Sequence, residues 1–362
     1  MRKKTSDYQP HRILIDVGCT GHAGTIASFL IDRNYREFGA VICTHAHNDQ
    51  ASGLIKLVED QRFIFHDGWM HNIANHVNAD VLRRAAASDE GVRKVVETTA
   101  RLAAAFSNRN IPVREPFTTD CIAGWPEMFV LGPSKDFYRK QIAEFAKVNL
   151  PSLNSAFLMA GIQQPTKNEY PYLSLARLGS AGSSLPNYLS VISPPLKTFP
   201  IPIPPLTGVL SNSSLKENPK TQPYNNTSVI LGVRYLEHKH LLTADAGSEA
   251  LAHVSSDWNH LEMCTVPHHA SDGNSSQNDL ERFCPKFALI SAKGDLSHPS
   301  RSVVSALVKV GAKVASTHSS GNLWYHIGNV PTRCDYGPVE YLTGTGSPEP
   351  VSRWLYPLVN AK

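Results

Sequence analysis

The chain has 362 residues, of which 41% are hydrophobic and 18% charged, and its formal net charge is +4. We expect a folded, soluble protein with one large or two ordinary domains and a substantial core. The mild positive charge permits a nucleic acid as partner but does not demand one. Six cysteines without a C-x-x-C pair argue against a disulfide framework and a zinc ribbon, and they favour a reducing compartment.

The sequence predicts a protein without membrane-spanning segments. No run approaches the roughly 20 apolar residues that cross a bilayer, and the first residues lack the apolar stretch of a signal peptide. We therefore expect a cytoplasmic protein with no membrane partner. A protein partner or a homo-oligomer is compatible with this sequence.

The first half of the chain alternates strands, polar loops and helices. A strand over residues 13–18 precedes a helix over 25–34, and a strand over 40–43 precedes a helix that ends near Glu59. This alternation predicts an α/β layer architecture. The residue patterns predict four further elements in this half, which are a strand at 63–65, a helical region over 69–108, a strand at 128–133 and a helix over 135–148.

Three histidines, His66, His71 and His76, lie in or near the helical region 69–108. Imidazole is a common metal ligand, but nothing in the sequence pairs these residues with a carboxylate at ligand spacing. We therefore interpret them as surface or packing residues.

Residues 150–225 are rich in Pro, Ser, Asn and Gly and contain too few apolar residues for a core of their own. We interpret them as an irregular insertion or a lid-like loop, with a linker of no specific role as the alternative. Regular structure resumes at Ser228. The elements predicted beyond it are a hairpin of strands 229–233 and 240–244, a helix over 249–254, strands at 263–266 and 287–291, a helix over 302–310, and a second hairpin of strands 313–317 and 323–327.

The candidate metal ligands share one position, just past the C-terminal end of a predicted strand. Imidazole and carboxylate groups are the ligands that zinc and similar metals take in proteins. In layered α/β folds the C-terminal strand ends converge on one edge, so residues two hundred apart in sequence can share a site. The candidates are His45, His47 and Asp49 after the strand 40–43, Asp245 after the strand 240–244, and His268 and His269 after the strand 263–266.

These residues and the segments around them resemble the metallo-β-lactamase superfamily. In detail the sequence is similar to the metallo-β-lactamase-like domain of the competence DNA-internalisation channel family, over residues 13–60 and 225–328. The segments that carry the resemblance occur in the family's order, and they are Leu14-Ile15-Asp16-Val17-Gly18, Thr44-His45-Ala46-His47-Asn48-Asp49-Gln50, Asn226-Thr227-Ser228-Val229, Leu241-Leu242-Thr243-Ala244-Asp245, Val266-Pro267-His268-His269-Ala270-Ser271 and Ser297-His298-Pro299.

The resemblance implies an α/β fold of the αββα sandwich type with a Pro-rich insertion. A single metallo-β-lactamase-like domain would span residues 1–345, as halves 1–149 and 225–345 around an insertion at 150–224, followed by a tail at 346–362. The family usually holds zinc or manganese at one edge of the sandwich, as one ion or two. The superfamily hosts many reactions, so the fold alone does not identify a substrate.

The resemblance also implies roles for individual residues. His45 and His47 would hold the first metal, Asp49 the second, and Asp245 would bridge the two. One of His268 and His269 would complete the shell. Asp16 would fix the histidine loop by hydrogen bonds. His298 would contact substrate or protonate a leaving group, with a structural His-Pro turn as the alternative.

This sequence departs from the family pattern at several positions. Gln50 stands where the family motif HxHxDH has its last histidine. A neutral amide oxygen is a weaker zinc ligand than imidazole, so we expect the second position, with Gln50 as a ligand, to be weakened, to accept harder metals such as manganese, or to be empty. Ala244 and Ala270 replace glycines of the family. Only about a dozen polar residues precede the first strand, where the family has a strand hairpin. Either the start is truncated or an edge strand is absent, which could leave an edge of the sheet open to pairing.

We predict a metal-dependent hydrolase that acts on phosphodiester bonds, most closely a nuclease with nucleic acid as substrate. A metal-activated hydroxide would attack the phosphorus, with Asp49 orienting it. One alternative is a small-molecule hydrolase of a cyclic nucleotide, ester or lactone, with residues 186–223 as a lid over the pocket. The other alternative, motivated by Gln50, is a degenerate non-catalytic binding or regulatory module.

Overall fold

A computed structural model describes residues 12–122, 125, 127–147, 190–192, 215–217, 219–294, 298–326, 339 and 341–343. The predictions made for residues 1–11, for most of the insertion 150–224 and for the tail 346–362 therefore lie outside the described residues.

The described residues contain fifteen strands, most of them short. They are β1 (Ile13–Ile15), β2 (Glu37–Phe38), β3 (Ala40–Ile42), β4 (Ile64–Phe65), β5 (Gly68–Trp69), β6 (Val113–Arg114), β7 (Met128–Gly132), β8 (Ser190–Ile192), β9 (Ile230–Tyr235), β10 (His238–Leu242), β11 (Met263–Thr265), β12 (Phe287–Ile290), β13 (Lys313–Ser316), β14 (Trp324–His326) and β15 (Tyr341–Leu342).

Nine α-helices alternate with these strands in the same part of the chain. They are α1 (Thr20–Asp32), α2 (Asn48–Glu59), α3 (Ala79–Ser88), α4 (Glu90–Asn108), α5 (Lys135–Phe145), α6 (Ser248–Leu251), α7 (Gln277–Phe283), α8 (Arg301–Lys309) and α9 (Thr317–Ser320). Across the described ranges, none of the helices combines the length and the apolar character that crossing a bilayer requires.

The strands form two main sheets. The first is four-stranded in the order β1-β3-β5-β6, and all of its neighbours are parallel. The second is seven-stranded in the order β15-β13-β12-β11-β10-β9-β7, and its strands β10 to β13 are parallel to one another. Two further pairs, β14 with β8 and β2 with β4, lie outside the main sheets. The predicted α/β class is confirmed at this level.

Apolar side chains fill the space between the two main sheets. Ile42 and Trp69 of the first sheet lie in one buried cluster with Val130 and Leu231 of the second. Val41, the neighbour of Ile42 on β3, points the other way into a cluster with α1, α2 and α4. Successive residues of a strand point to opposite faces, so a strand buried on both sides has no polar face and reads as a continuous apolar run.

The helical region predicted over 69–108 begins only at Ala79 in the structure, since residues before it form the end of β5, a loop and a 3₁₀ turn at Ile73–Asn75, and the region is also divided. Helices α3 and α4 meet at Asp89, whose carboxylate accepts hydrogen bonds from the backbone N–H groups of Gly91 and Val92 at 2.9 and 3.2 Å. An aspartate at this position caps the N-terminus of a new helix. Apolar periodicity runs through both helices and gave no sign of the break, whereas the Ser88-Asp89 pair did carry a cap signal.

One predicted hairpin is confirmed and the other is wrong. Strands β9 and β10 pair antiparallel, with His240 opposite Val233. The second hairpin, predicted for residues 313–317 and 323–327, does not form. Strand β13 lies between β12 and β15, and β14 pairs with β8 from the insertion. Helix α9 follows β13 directly and carries the chain away, so the local turn signal at Ser319-Ser320-Gly321 did not decide the pairing.

Candidate metal centre

The candidate ligands lie on three loops, each of which follows a strand, and in the first turn of helix α2, where Asp49 and Gln50 follow the first loop. The loop 43–48 follows β3 in the first sheet, while the loops 243–247 and 266–270 follow the parallel neighbours β10 and β11 in the second. A hydrogen bond from the Val229 N–H to the Thr44 carbonyl, 3.0 Å long, joins the two sheets at this edge. The convergence of strand ends predicted from the sequence is therefore present.

The backbone of these loops is left-handed at several residues. The φ angles are 47° at Ala244, 46° at His268, 57° at His269 and 65° at Ala270, and Asp16, after β1, has a φ of 48°. A residue with a Cβ atom is disfavoured in this conformation by roughly 1–2 kcal/mol. Such backbone strain concentrates at functional sites, where the surrounding structure enforces it.

The first ligand group consists of His45, His47 and Asp245. The Nε2 atom of His45 lies 3.1 Å from Nδ1 of His47 and 3.3 Å from Oδ2 of Asp245. One ligand atom of each residue lies within 4.8 Å of the other two. His45 and Asp245 are buried, with 3% and 2% of their surface exposed. This group has the residue types and the spacing of a site for a divalent cation.

The second ligand group consists of Asp49, Asp245 and His269, whose ligand atoms also lie within 4.8 Å of one another. The Nε2 atom of His269 is 3.7 Å from Oδ2 of Asp49. The Asp49 side chain is 49% exposed and forms the solvent side of the group. Asp245 belongs to both groups, so the two candidate cation positions are adjacent and share one carboxylate.

The remaining predicted residues border these two groups. His268 places Nε2 at 3.8 Å from Oδ2 of Asp245. The amide nitrogen of Gln50 donates to Oδ1 of Asp245 at 3.5 Å, and the prediction that Gln50 is itself a ligand stays a prediction. The ring of His298 lies 5.5 Å from that of His268 and 6.1 Å from that of His269, measured between centroids. His298 therefore lies at the rim of the centre.

Two residues of the first group, Asp245 and His47, have the charge states that a cation needs. Burial by itself would lower the pKa of His45, but Asp245, Asp16 and Asp49 raise it. Burial by itself would raise the pKa of the Asp245 carboxyl, but His45, His268 and His269 hold that pKa well below its usual range. Burial, helped by the neighbouring His45, lowers the pKa of His47 to about 4. Asp245 is thus a carboxylate and His47 a neutral imidazole near pH 7, and these are the forms that bind a metal.

In the second group the carboxylate and the imidazole form an ion pair. Burial by itself would lower the pKa of His269, but Asp49, Asp245 and the carbonyl of Ser291 raise it to about 9. The contact with His269 in turn lowers the pKa of Asp49. Without a cation, a proton on His269 thus balances the negative charge of the two carboxylates. A bound cation would balance the same charge.

The histidine loop is held by polar contacts from two sides. Asp16 accepts hydrogen bonds from the backbone N–H of Thr44 at 2.9 Å and from its hydroxyl at 2.6 Å, as the resemblance implied. Burial raises the pKa of Asp16 to about 7, although the Thr44 hydrogen bonds oppose this rise. On the other side the hydroxyl of Tyr224 accepts from the Ala46 N–H at 3.1 Å, and its ring lies 4.9 Å from that of His47.

Residues 221–227 contact the loops 43–48 and 243–247 and, at Gly273, the segment that follows the loop 266–270. Sequence reasoning placed residues up to 223 in a lid and used Asn226 and Thr227 as part of a family segment, but it gave Tyr224 no role. Tyr224 contacts the histidine loop, and Asn226 accepts a hydrogen bond from the Gly247 N–H at 3.1 Å. The Thr221 hydroxyl donates to the Gly273 carbonyl at 2.8 Å. A Cβ atom at Gly247 would overlap the side chain of Thr221, so only glycine fits there. Polar residues that act through single contacts leave no periodic signal in a sequence.

One observation tests whether these residues suit a metal ion. Oδ2 of Asp245 is buried, and it has no hydrogen-bond partner in the described part of the chain. A buried carboxylate oxygen without a partner is strongly unfavourable in a folded protein unless another group balances it. His45 and His268 place Nε2 atoms at 3.3 and 3.8 Å from this oxygen. A cation among these atoms would satisfy the oxygen, so the residues present fit a divalent ion.

Comparison with known proteins adds no independent assignment. No protein-family model matches this chain, and no curated protein matches it at a significant level.

Proposed function

We propose that this protein is a metal-dependent hydrolase of phosphodiester bonds, with a metallo-β-lactamase-like arrangement of helices, two sheets and helices. The observation that carries the proposal is the sharing of Asp245 by two adjacent ligand groups. Paired cation positions suit in-line displacement at phosphorus, because both the attacking and the leaving oxygen need charge stabilisation. Nucleic acid is the proposed substrate, since the proposal also rests on similarity to a DNA-handling family.

Two ligand groups define which residues would hold cations. His45, His47 and Asp245 would hold one ion, and Asp49, Asp245 and His269 the other. Zinc and manganese are the proposed metals. The histidine nitrogens of the first ligand group suit zinc, and the carboxylates of the second ligand group suit manganese. A divalent cation at this position supplies Lewis acidity and lowers the pKa of water toward neutrality.

The side chains around the centre have separate tasks in this proposal. Asp49, at the solvent side, accepts a hydrogen bond from the attacking water and orients it toward the phosphorus. His298, at the rim beside His268 and His269, donates a proton to the leaving oxygen. Asp16 and Tyr224 keep the histidine loop in place and do not touch the substrate.

The test is cleavage of single- and double-stranded DNA and RNA by the purified full chain with added manganese or zinc. We expect metal-dependent cleavage of at least one substrate, and a loss of at least about 100-fold in kcat/KM after His47→Ala, because a ligand is removed. The matched control is His66→Ala, since His66 is exposed and pairs only with Glu37, at 2.8 Å, among the described residues.

Two results would contradict the proposal. One is the absence of cleavage on every nucleic acid while the protein holds its full complement of metal. The other is equal cleavage by the wild type and the His47→Ala variant, which would point to a contaminating nuclease.

A further inference from the structure

Asn274 is a buried side chain that connects two loops of the metal centre. It is 3% exposed and lies after the left-handed turn that carries His268 and His269. Its Oδ1 atom is 2.9 Å from Nδ1 of His268, and its Nδ2 atom donates to the backbone carbonyl of Asp245 at 2.7 Å. Neither the sequence patterns nor the family resemblance assigned a role to this residue.

The orientation of the Asn274 amide follows from its partners. A backbone carbonyl can only accept a hydrogen bond, so the atom that faces Asp245 O must be the NH₂ group. The amide oxygen then faces His268, and His268 must donate from Nδ1. A neutral imidazole with its proton on Nδ1 carries its lone pair on Nε2. That Nε2 atom lies 3.8 Å from Oδ2 of Asp245.

The neighbouring His269 also directs Nδ1 to an acceptor and Nε2 to a carboxylate, but its acceptor is a different one. Its Nδ1 atom faces the backbone carbonyl of Ser291, and its Nε2 atom lies 3.7 Å from Oδ2 of Asp49. Adjacent side chains on an extended strand would point to opposite faces. The left-handed backbone at His268, His269 and Ala270 instead directs both rings to the centre, with centroids 5.8 Å apart.

We propose that Asn274 is a positioning residue that fixes His268 in the Nδ1-protonated tautomer and ties it to the Asp245 loop. Both paired histidines then present Nε2 to carboxylates of the centre, His268 to Asp245 and His269 to Asp49. In this proposal the pair supplies two ligands, namely His269 of the second ligand group and His268, which borders both groups at Asp245. This inference shares the metal centre with the proposed function but does not need the hydrolase activity. The tautomer of His268 can be measured in the metal-free protein.

The first test reads the tautomer directly in the metal-free full chain. Long-range ¹H–¹⁵N correlation spectra of ¹⁵N-histidine-labelled protein distinguish a proton on Nδ1 from one on Nε2, and from an imidazolium that carries both. We expect His268 to carry its proton on Nδ1 in the wild type. We expect a mixture with the Nε2 form in Asn274→Leu. The Nδ1 form should persist in Asn274→Asp, which keeps an oxygen acceptor.

The second test is the affinity for Zn²⁺ or Co²⁺, measured by titration with the metal alone. Loss of a residue that orients a metal ligand typically weakens binding 10- to 100-fold, and we expect about this loss in Asn274→Leu. The control is Asn78→Leu, which removes the cap of α3, a hydrogen bond from the Asp80 N–H to Asn78 Oδ1, far from the centre in the chain. It should leave both the tautomer and the affinity unchanged.

The outcomes separate this inference from the proposed function. A wild-type His268 with its proton on Nε2 overturns the inference, and so does an unchanged tautomer in Asn274→Leu. If Asn274→Leu fails to fold, the wild-type spectrum and Asn274→Asp still decide. If the tautomer is as expected and nucleic acid is not cleaved, only the proposed function fails.

Discussion

The histidines of the metal centre and the pair His71 and His76 differ in what their ring nitrogens face. Nε2 of His71 contacts the Pro116 carbonyl at 2.6 Å, and Nε2 of His76 pairs with Glu115 at 2.9 Å. Both rings pack against Tyr138, with centroids 4.4 and 4.9 Å away. Nε2 of each imidazole thus has its own partner and each ring packs against aromatic side chains, while Nδ1 of each is buried without a hydrogen-bond partner among the described residues.

In the metal centre the nitrogens instead converge on shared carboxylates. Nε2 of His45 and Nε2 of His268 both approach Oδ2 of Asp245, which has no hydrogen-bond partner among the described residues. No comparable group of three ligand atoms includes His71 or His76 within that part of the chain. A histidine is therefore a candidate ligand when its ring nitrogen lies close to the ligand atoms of other residues. Burial alone does not make it one.

The largest expected effect is on metal affinity, which should depend on the candidate metal centre and not on the region of His71 and His76. Asp245→Asn should lower the affinity for Zn²⁺ at least about 100-fold, because both ligand groups lose their shared carboxylate. His71→Gln should keep the full metal content per folded chain. Elemental analysis after dialysis, together with titration of the metal-free protein, measures both. Unchanged metal content in Asp245→Asn would show that the two groups do not form the centre.

The next effect concerns stability and pH in the His71 region. Burial lowers the pKa of His71 to about 4, whereas the unfolded chain has a histidine pKa of about 6.5. Between these values the unfolded state binds more protons, so the free energy of unfolding falls as the pH falls. The contribution of His71 between about pH 7 and pH 5 is about 2 kcal/mol.

The matched variant for this prediction is His71→Gln, which removes the titrating group. Urea unfolding of the metal-free proteins at both pH values should show a smaller loss of stability in the variant, by about 2 kcal/mol. Equal losses in the two proteins would mean that His71 is protonated in the folded state, and the contrast with the metal centre would then weaken.

The smallest effect concerns backbone strain at Ala244, which belongs to the loop 243–247 of the candidate metal centre. Ala244 has a φ of 47° and is half-buried, so Ala244→Gly relieves the left-handed strain and removes little packing. We expect the free energy of unfolding to rise by about 0.5–1 kcal/mol. Ala104→Gly, in the exposed interior of α4, should lower it by about 1 kcal/mol. Urea unfolding measures both, and the same sign for the two variants would contradict the strain argument.

Sequence reasoning could name the candidate ligands because they depend on local signals. The triplet His45, His47 and Asp49 follows an apolar run, and Asp245 and the His268-His269 pair follow two others. Parallel strands bring such positions to one edge, and the structure brings all of these residues except His268 into two groups within ligand distance. The break between α3 and α4, and the partner of β14, depended on a single cap and on a distant strand. Neither produces a periodic pattern.

The sequence by itself determined the alternation of elements, the α/β class and the identity of the residues that form the two ligand groups. These follow from apolar periodicity and from the chemistry of imidazole and carboxylate side chains. Only the tertiary structure decided how the candidate ligands are divided between two groups and that the rings of His268 and His269 both face the centre. It also decided that Asn274 contacts His268 and that Tyr224 contacts the loop of His45 and His47. Such contacts join residues far apart in the chain through single hydrogen bonds and left-handed turns, whose geometry exists only after the loops have packed together.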